Sequence, residues 1–370
     1  MKKTVLILFL WISCMKASAT CVMEKADTVD TLPHQTEKKL SLMRRLIRGF
    51  DRLDERYIEP QHYVFTVMLQ TTYTYDSYTM RSTGQNSQRV NFSPDGSWKV
   101  GPYVGWKWIF GGYSFSLGHS TSGKGKTGLE LSIYSSQVGV DLFYRRTGRD
   151  YKLRNMRLGQ DIDTKRLEGA SFDGVRAGIT GISAYYIFNH GRFSYPAAFA
   201  QSTCQKISCG SWLAGVGYTD NTIELDHQKL QELMTERLAP QKVQLDSGLM
   251  FNSMSYRDLT LSGGYAYNWV FARNWLFCAS GQLGVAYKYS SGNLIGSARY
   301  FIQNVNADLV GRFALVYNDM RWYAGISAIV RSNNYRKNRF MANNTFGTMS
   351  AYVGYNFGLK KKYRKKKDKE

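Results

Sequence analysis

Residues Thr345 to Leu359 read TFGTMSAYVGYNFGL, with Met349, Ala351, Val353, Tyr355 and Phe357 at every second position and Thr348, Ser350, Tyr352, Gly354 and Asn356 between them. A period of two gives a β-strand one apolar face and one small or polar face. The same alternation runs from Phe65 to Tyr75 and from Asp258 to Phe271. Further runs cover Trp98 to Phe110, Gly174 to Phe188, Trp275 to Tyr289, Ala307 to Tyr317 and Trp322 to Arg331. Many reach the ~9–11 residues that a tilted membrane-spanning strand needs, whereas soluble strands average nearer 5–6. Length therefore favours a barrel over a β-sandwich, and lipid admits only helices and closed barrels.

The N-terminus directs the chain out of the cytoplasm. Lys2 and Lys3 precede the apolar run Val5 to Ile12, and Ala17-Ser18-Ala19 supplies small residues for cleavage. This is the order of a secretory signal peptide, and the run falls short of the ~20 apolar residues a spanning helix requires. Cys14 after Trp11-Ile12-Ser13 offers a lipoprotein alternative, with Trp standing where such a site prefers Leu. The expected divisions are a leader at 1–19, a periplasmic segment at 20–60, a barrel at 61–359 and a disordered basic tail at 360–370.

Aromatic residues crowd the short connections. Trp108 precedes a turn read at Gly111-Gly112; Trp269, Phe271 and Trp275 flank Ala272 to Asn274, and Trp322 follows Asn318 to Arg321. Such placement suits a girdle at a membrane interface. Long polar connections cover Ser77 to Ser97, Arg146 to Asp173, Thr219 to Ser255, Ser290 to Asn306 and Ser332 to Asn344. Short turns then belong in the periplasm and long loops outside. Pro196 cannot donate a ladder bond, which demotes Phe193 to Phe199 from strand status. With Asn189 to Lys206 taken as an elaborated periplasmic connection, the expectation is an all-β, transmembrane, antiparallel up-and-down β-barrel of about 12 strands. Counts of about 10 or 14 are also compatible, and both termini fall in the periplasm.

Two blocks, Leu53 to Met80 (LDERYIEPQHYVFTVMLQTTYTYDSYTM) and Phe193 to Tyr218 (FSYPAAFAQSTCQKISCGSWLAGVGY), together with Gly264 to Leu276 and Gly139 to Tyr144, resemble a Bacteroidota outer-membrane family known as a domain of unknown function. The resemblance covers Asp51 to Leu359 and implies an outer-membrane β-barrel. It brings no activity, ligand or catalytic residue. Cys204 and Cys209 depart from the family pattern, as does the tail after Phe357.

The formal charge is +21, of which Lys2, Lys3 and Lys16 leave with the leader, giving 21 − 3 = +18 for the mature chain. In a cytosolic protein that would suit nucleic acid; export directs it instead to lipopolysaccharide phosphates, acidic lipid or cell-wall polymer. Lys360, Lys361, Lys362, Arg364, Lys365, Lys366 and Lys367 concentrate charge in the tail. Its like charges imply disorder, with a solvated tail or a periplasmic contact with an anionic polymer as its uses. The barrel assembly machinery is a further expected partner, because the closing strand ends on Phe357.

Ahead of the barrel, Leu42, Leu46, Ile47, Phe50 and Leu53 recur at helical spacing within Glu37 to Glu55, and a second helix fits Ile223 to Leu238. Cys204 and Cys209 are close enough for a disulfide in an oxidising compartment, while Cys278 falls on the lumen side of its strand. Of the five histidines, His34, His62, His119, His190 and His227, only His119 stands beside a nucleophile, Ser120. Adjacent residues on a strand point to opposite faces, the pair reads as polar loop residues, and no GxSxG occurs. No enzyme, metal or cofactor is expected. Lys99, Lys107, Asp141, Arg145, Asp258 and Arg312 are expected to face the lumen. They fit a narrow channel for small solutes, or a plugged barrel whose loops bind glycans or other envelope components.

Overall fold

The computed structural model describes residues 53–82, 87–106, 109–112, 115–117, 127–147, 150–159, 162–239, 241, 243–294, 299–337 and 340–367. The leader, the N-terminal amphipathic stretch apart from its last residues, Cys21, His119, Lys107 and Trp108 lie outside them. Leu53 to Glu370 form one compact unit.

The first half of the chain supplies short and long strands: β1 Ile58–Pro60, β2 Tyr63–Ser82, β3 Arg89–Pro94, β4 Ser97–Trp106, β5 Ile109–Gly112, β6 Phe115–Leu117, β7 Thr127–Tyr134, β8 Val138–Arg146, β9 Tyr151–Arg157, β10 Ser171–Phe172 and β11 Val175–Ile187. After helix α1, Tyr195–Phe199, come β12 Thr203–Gln205, β13 Cys209–Leu225 and helix α2 His227–Leu238. Five long strands close the chain: β14 Phe251–Ala272, β15 Trp275–Leu294, β16 Arg299–Asn318, β17 Trp322–Lys337 and β18 Phe340–Leu359. Helix α3, Lys361–Lys367, follows.

One antiparallel ladder runs β7-β8-β11-β13-β14-β15-β16-β17-β18-β2, and β4 continues it, with β5 and β6 paired side by side on β4. Among the described residues the sheet holds 16 strands, with β10-β9-β3-β2-β18-β17-β16-β15-β14-β13-β11-β8-β7 as its main path of 13, where the sequence led us to expect about 12. The sheet curls until Arg331 on β17 reaches Asp141 on β8 at 2.9 Å and Glu130 on β7 at 3.4 Å. A branch leaves the upper part of β2 through β3 and β9 to β10.

The outward face of the lower strands carries a belt of exposed apolar side chains, among them Leu69, Val104, Leu131, Val216, Val285, Ile326 and Val353. So much exposed apolar surface needs a lipid partner rather than water. Below it Trp269 and Phe271 stand 5.4 Å apart, Trp322 and Tyr355 4.6 Å, and Phe65 and Phe357 5.5 Å, an aromatic girdle at the short-turn end. In the turns there, Asn274 and Met320 take φ of 66° and 75°. Gly358 takes 73°, where an added Cβ would also meet Phe65 Cδ2 at 2.9 Å. Glycine is therefore needed where the chain leaves β18 for α3.

Three expectations need correction. Gly111 and Gly112 do not form the turn expected there: Trp106 of β4 pairs with Ile109 of β5, and the two glycines lie within β5, opposite Val104 and Tyr103. Glycine marks a weak point in a strand as readily as a turn. The long polar connections are largely folded: β15, β16, β17 and β18 run straight through stretches read as loops. On β17 and β18 the period of two persists there with its polarity reversed, since Tyr335, Phe340 and Ala342 are buried while Asn334 and Arg336 are exposed. Third, the tail is helical over Lys361–Lys367 rather than disordered. It is anchored because Lys360 N–H donates to His62 O at 2.9 Å and the Tyr363 ring lies 3.9 Å from that of His62.

Candidate functional site

Among the described residues, packed or paired side chains occupy both ends and the middle of the space inside the curled sheet. At the short-turn end the connection between β11 and β13 turns inward as α1. Ser194 caps it by accepting from Ala197 N–H at 3.2 Å, and Pro196 sits in its first turn, where a missing N–H costs nothing. Phe193, Tyr195, Ala197 and Ala198 are buried against Tyr185, Leu213, Ala266, Cys278, Ala314 and Val316 of the wall. Tyr195 Oη shares a short hydrogen bond with Ser280 Oγ. Gln201 Nε2 donates to Tyr352 Oη at 2.6 Å, and Asn268 Nδ2 to Ser194 O at 2.9 Å. The connection is tied down behind the helix, because β12 pairs with β1.

The expected Cys204–Cys209 disulfide is not formed; both thiols are free. Cys204 Sγ donates instead to Asn318 O at 3.1 Å, and Asn189 Nδ2 donates to Cys209 Sγ at 3.2 Å. Each sulfur thus has a local partner on another segment. Burial pushes the Cys204 thiol up to about 12, so it is neutral and unreactive at neutral pH.

Two ion networks occupy the middle. In one, Asp141 pairs with Arg312 and Arg331 and accepts from Ser132 Oγ at 2.6 Å. Glu130 lies 3.4 Å from Arg331 and 3.5 Å from Arg145, while Arg312 also donates to Gln282 at 2.8 Å. Aromatic faces cover these cations: Tyr185 under Arg312 at 4.8 Å, Phe143 under Arg331 at 5.2 Å, Phe346 under Arg145 at 5.0 Å. In the other, Lys288 lies 2.6 Å from Asp258 and 3.4 Å from Asp308, with Thr219 donating to Asp258 at 3.0 Å. The four cations Arg145, Lys288, Arg312 and Arg331 thus meet the four anions Glu130, Asp141, Asp258 and Asp308. Exposure at Asp141, Asp258 and Lys288 is 0% and at Arg312 1%. Water-sized space does not reach these side chains.

The long-connection end is closed by a hydrophobic core. Tyr78 and Met80 of β2, Val90 and Phe92 of β3, Tyr151 and Leu153 of β9, and Leu230, Met234 and Leu238 of α2 pack together with Met254, Tyr256, Tyr335 and Phe340 from the far wall. The helix expected over Ile223 to Leu238 begins at His227, where Asp226 caps it by accepting from Lys229 N–H; Ile223 to Leu225 extend β13. Gln88 fastens this cap to the strands below α2, donating to Gln244 O and accepting from Asp246 N–H, both at 2.8 Å.

Of the residues expected to face the lumen, Asp141, Arg145, Asp258 and Arg312 fall in the two networks. Lys99 lines the wall half-buried, in register with Thr72, and Lys107 lies outside the described residues. Glu130, Lys288, Asp308 and Arg331 were missed. Lys288 was legible in principle, because it alternates with Tyr287 and Tyr289. The pairing of charges from opposite walls carries no sequence signal.

An antiparallel barrel with an apolar outer belt, an aromatic girdle and charged groups kept inside belongs to the class of outer-membrane β-barrels. The chain itself belongs to the family described as Domain of unknown function (DUF4421), whose profile matches residues 52–357. No curated protein matches the chain. Among solved structures, the outer membrane protease OmpT from Escherichia coli is 7% identical, with 81% of this chain and 98% of that one covered at a TM-score of 0.35. The translocator domain of autotransporter NalP from Neisseria meningitidis is 11% identical, with 87% and 96% covered at 0.31. The outer membrane protein OprG from Pseudomonas aeruginosa is 10% identical, with 81% and 99% covered at 0.22. Superpositions this loose carry no functional argument.

Proposed function

We propose that this chain is a sealed outer-membrane barrel whose work is done on its outer surface, as a structural or surface-binding protein rather than an enzyme or an open pore. The observation that carries this reading is the near-zero exposure of Asp141, Lys288 and Arg312 in mid-lumen, between a helix at one end and a packed core at the other. A pore for anions would carry uncompensated cations along its path, whereas here four positive and four negative groups neutralise one another. In this reading the short turns and both termini face the periplasm and the cap faces outward.

A second reading, a narrow passage for small solutes, is favoured by one strip of the wall. Gln70, Thr72 and Thr74 on β2, Lys99 on β4 and Ser350 on β18 are polar, inward-facing and only half-buried. Planar-bilayer recording of the purified barrel separates the two. The sealed barrel gives no current above background at high protein load, and a variant lacking residues 190–206 conducts no better, because the ion networks and the cap remain. Discrete, reproducible channel steps from the intact protein would establish the passage instead.

A further inference from the structure

Above the apolar belt five neighbouring strands present mostly polar residues on their outward face. Register places Arg336 of β17 opposite Met341 of β18, Met341 opposite Arg81 of β2, Arg81 opposite Arg89 of β3, and Arg89 opposite Arg157 of β9. Four arginines thus lie in one transverse row. The adjacent row is Asn334, Asn343, Thr79, Asn91 and Asn155 in the same strand order. The amides are held in place by hydrogen bonds within and between the two rows. Asn343 donates to Asn334 at 2.6 Å, Asn91 to Thr79 at 2.8 Å, and Arg89 donates to Asn155 at 3.0 Å.

Like charges directly opposite each other on neighbouring strands repel. Among the described residues no carboxylate forms an ion pair with Arg81, Arg89 or Arg157, although Arg154 and Lys152 on the same branch both pair with Asp95. Arg81, Arg89 and Arg157, exposed on adjacent strands with no described carboxylate in an ion pair with them, are placed to meet an external anion. The other face of this sheet, carrying Tyr78, Met80, Val90, Phe92 and Leu153, is buried in the cap core, so the row stands on a rigid support.

We propose that this face binds the phosphorylated saccharide head group of an outer-leaflet glycolipid, with the arginine row taking its phosphates and the Asn/Thr row its sugar hydroxyls. Guanidinium groups bind phosphate bidentately, and ordered amides offer donors and acceptors together, as hydroxyls require. Position favours a lipid-borne glycan over a free one. On β2 the aromatic and apolar outward residues run from Phe65 to Tyr75, and Arg81 follows six residues later. At ~3.4 Å per residue and a tilt near 40°, that sets the row about 15 Å beyond the hydrocarbon, at the depth of a glycolipid head group. The proposal deepens the surface-binding reading and rests on it.

The test uses the full chain folded in detergent and purified lipopolysaccharide, with complexes counted by native mass spectrometry. Wild type should retain the glycolipid, and R81E/R89E/R157E should weaken retention by about 10- to 100-fold, while R81K/R89K/R157K keeps most of it. The off-row control R176E/R237E/R257E, with the same change in net charge, should bind like wild type. Enzymatic dephosphorylation of the glycolipid should lower wild-type binding to the level of the triple-Glu variant. Equal binding by wild type and R81E/R89E/R157E, or indifference to dephosphorylation, would overturn the site. Retention of a soluble phosphorylated polysaccharide in preference to the membrane-borne glycolipid would overturn the assignment of its source. Heat-resistant gel mobility of every variant confirms that the barrel is folded, and the conductance experiment judges the sealed-barrel reading independently.

Discussion

On β14 the outward residue Leu261 is 65% exposed while Asp258, facing inward, is 0% exposed. A few residues earlier on the same strand the pattern is inverted: Met254 and Tyr256 are buried inward, and Ser253, Ser255 and Arg257 face out. β2 does the same, passing from Phe65, Val67 and Leu69 outward to Tyr78 and Met80 inward. The lower region is wrapped in lipid and keeps its polar groups inside, whereas the upper region is wrapped in water and keeps its apolar groups inside. One strand can serve both because backbone pairing is indifferent to which face is apolar. The level at which polarity reverses is therefore the membrane surface, written into the side chains themselves.

The two regions should break differently, and the largest effect belongs to the lower interior. Asp141→Leu leaves Arg312 and Arg331 buried without their shared anion, which costs about 3–5 kcal/mol. Urea unfolding in detergent micelles should show the loss, and replacing all three residues together with apolar ones should recover much of it. In the cap, Met80→Ala removes a side chain of 1% exposure and costs about 2–5 kcal/mol. That change should raise protease sensitivity near α2 while leaving the barrel's heat-resistant mobility intact. On the outward face, Leu261→Arg should cost about 2–4 kcal/mol, whereas Ser255→Arg on the same strand and the same face should cost almost nothing, as measured by refolding yield into liposomes.

How much of this was legible follows from the same reversal. In the lipid-wrapped part the outward apolar and inward polar residues gave strand positions and the turns at Ala272 to Asn274 and Asn318 to Arg321. Above the membrane, stretches such as Asn333-Asn334-Tyr335-Arg336 read as loops because polar letters dominate. Yet Tyr335 is 1% exposed and stacks on Tyr256 at 5.1 Å. Charge pairing across the lumen was illegible for a different reason. Asp141 and Arg312 are 171 positions apart, and only curling of the sheet brings them together.

The smallest expected effect concerns the tail. His62 has its pKa held below the ordinary value of 6.5 by burial, helped by the positive Lys360, Lys206 and Lys362 and opposed by Glu59. A base whose folded pKa is depressed binds protons less readily when folded. The Tyr363 contact is therefore fully present above pH 6.5 and is lost as pH falls through the lowered value. Hydrogen exchange of α3 should quicken below about pH 6.5 in wild type, and His62→Phe should remove that pH dependence.

The reversal of polarity is tested most directly by nitroxide labels placed one at a time along the outward face of β14, at positions 253, 255, 257, 259, 261 and 265, in reconstituted bilayers. Collision with dissolved oxygen should dominate at 259, 261 and 265, and collision with a water-soluble nickel chelate at 253 and 255, with the crossover at 257. Oxygen-dominated labels at 253 and 255, or chelate access at 261, would contradict the account.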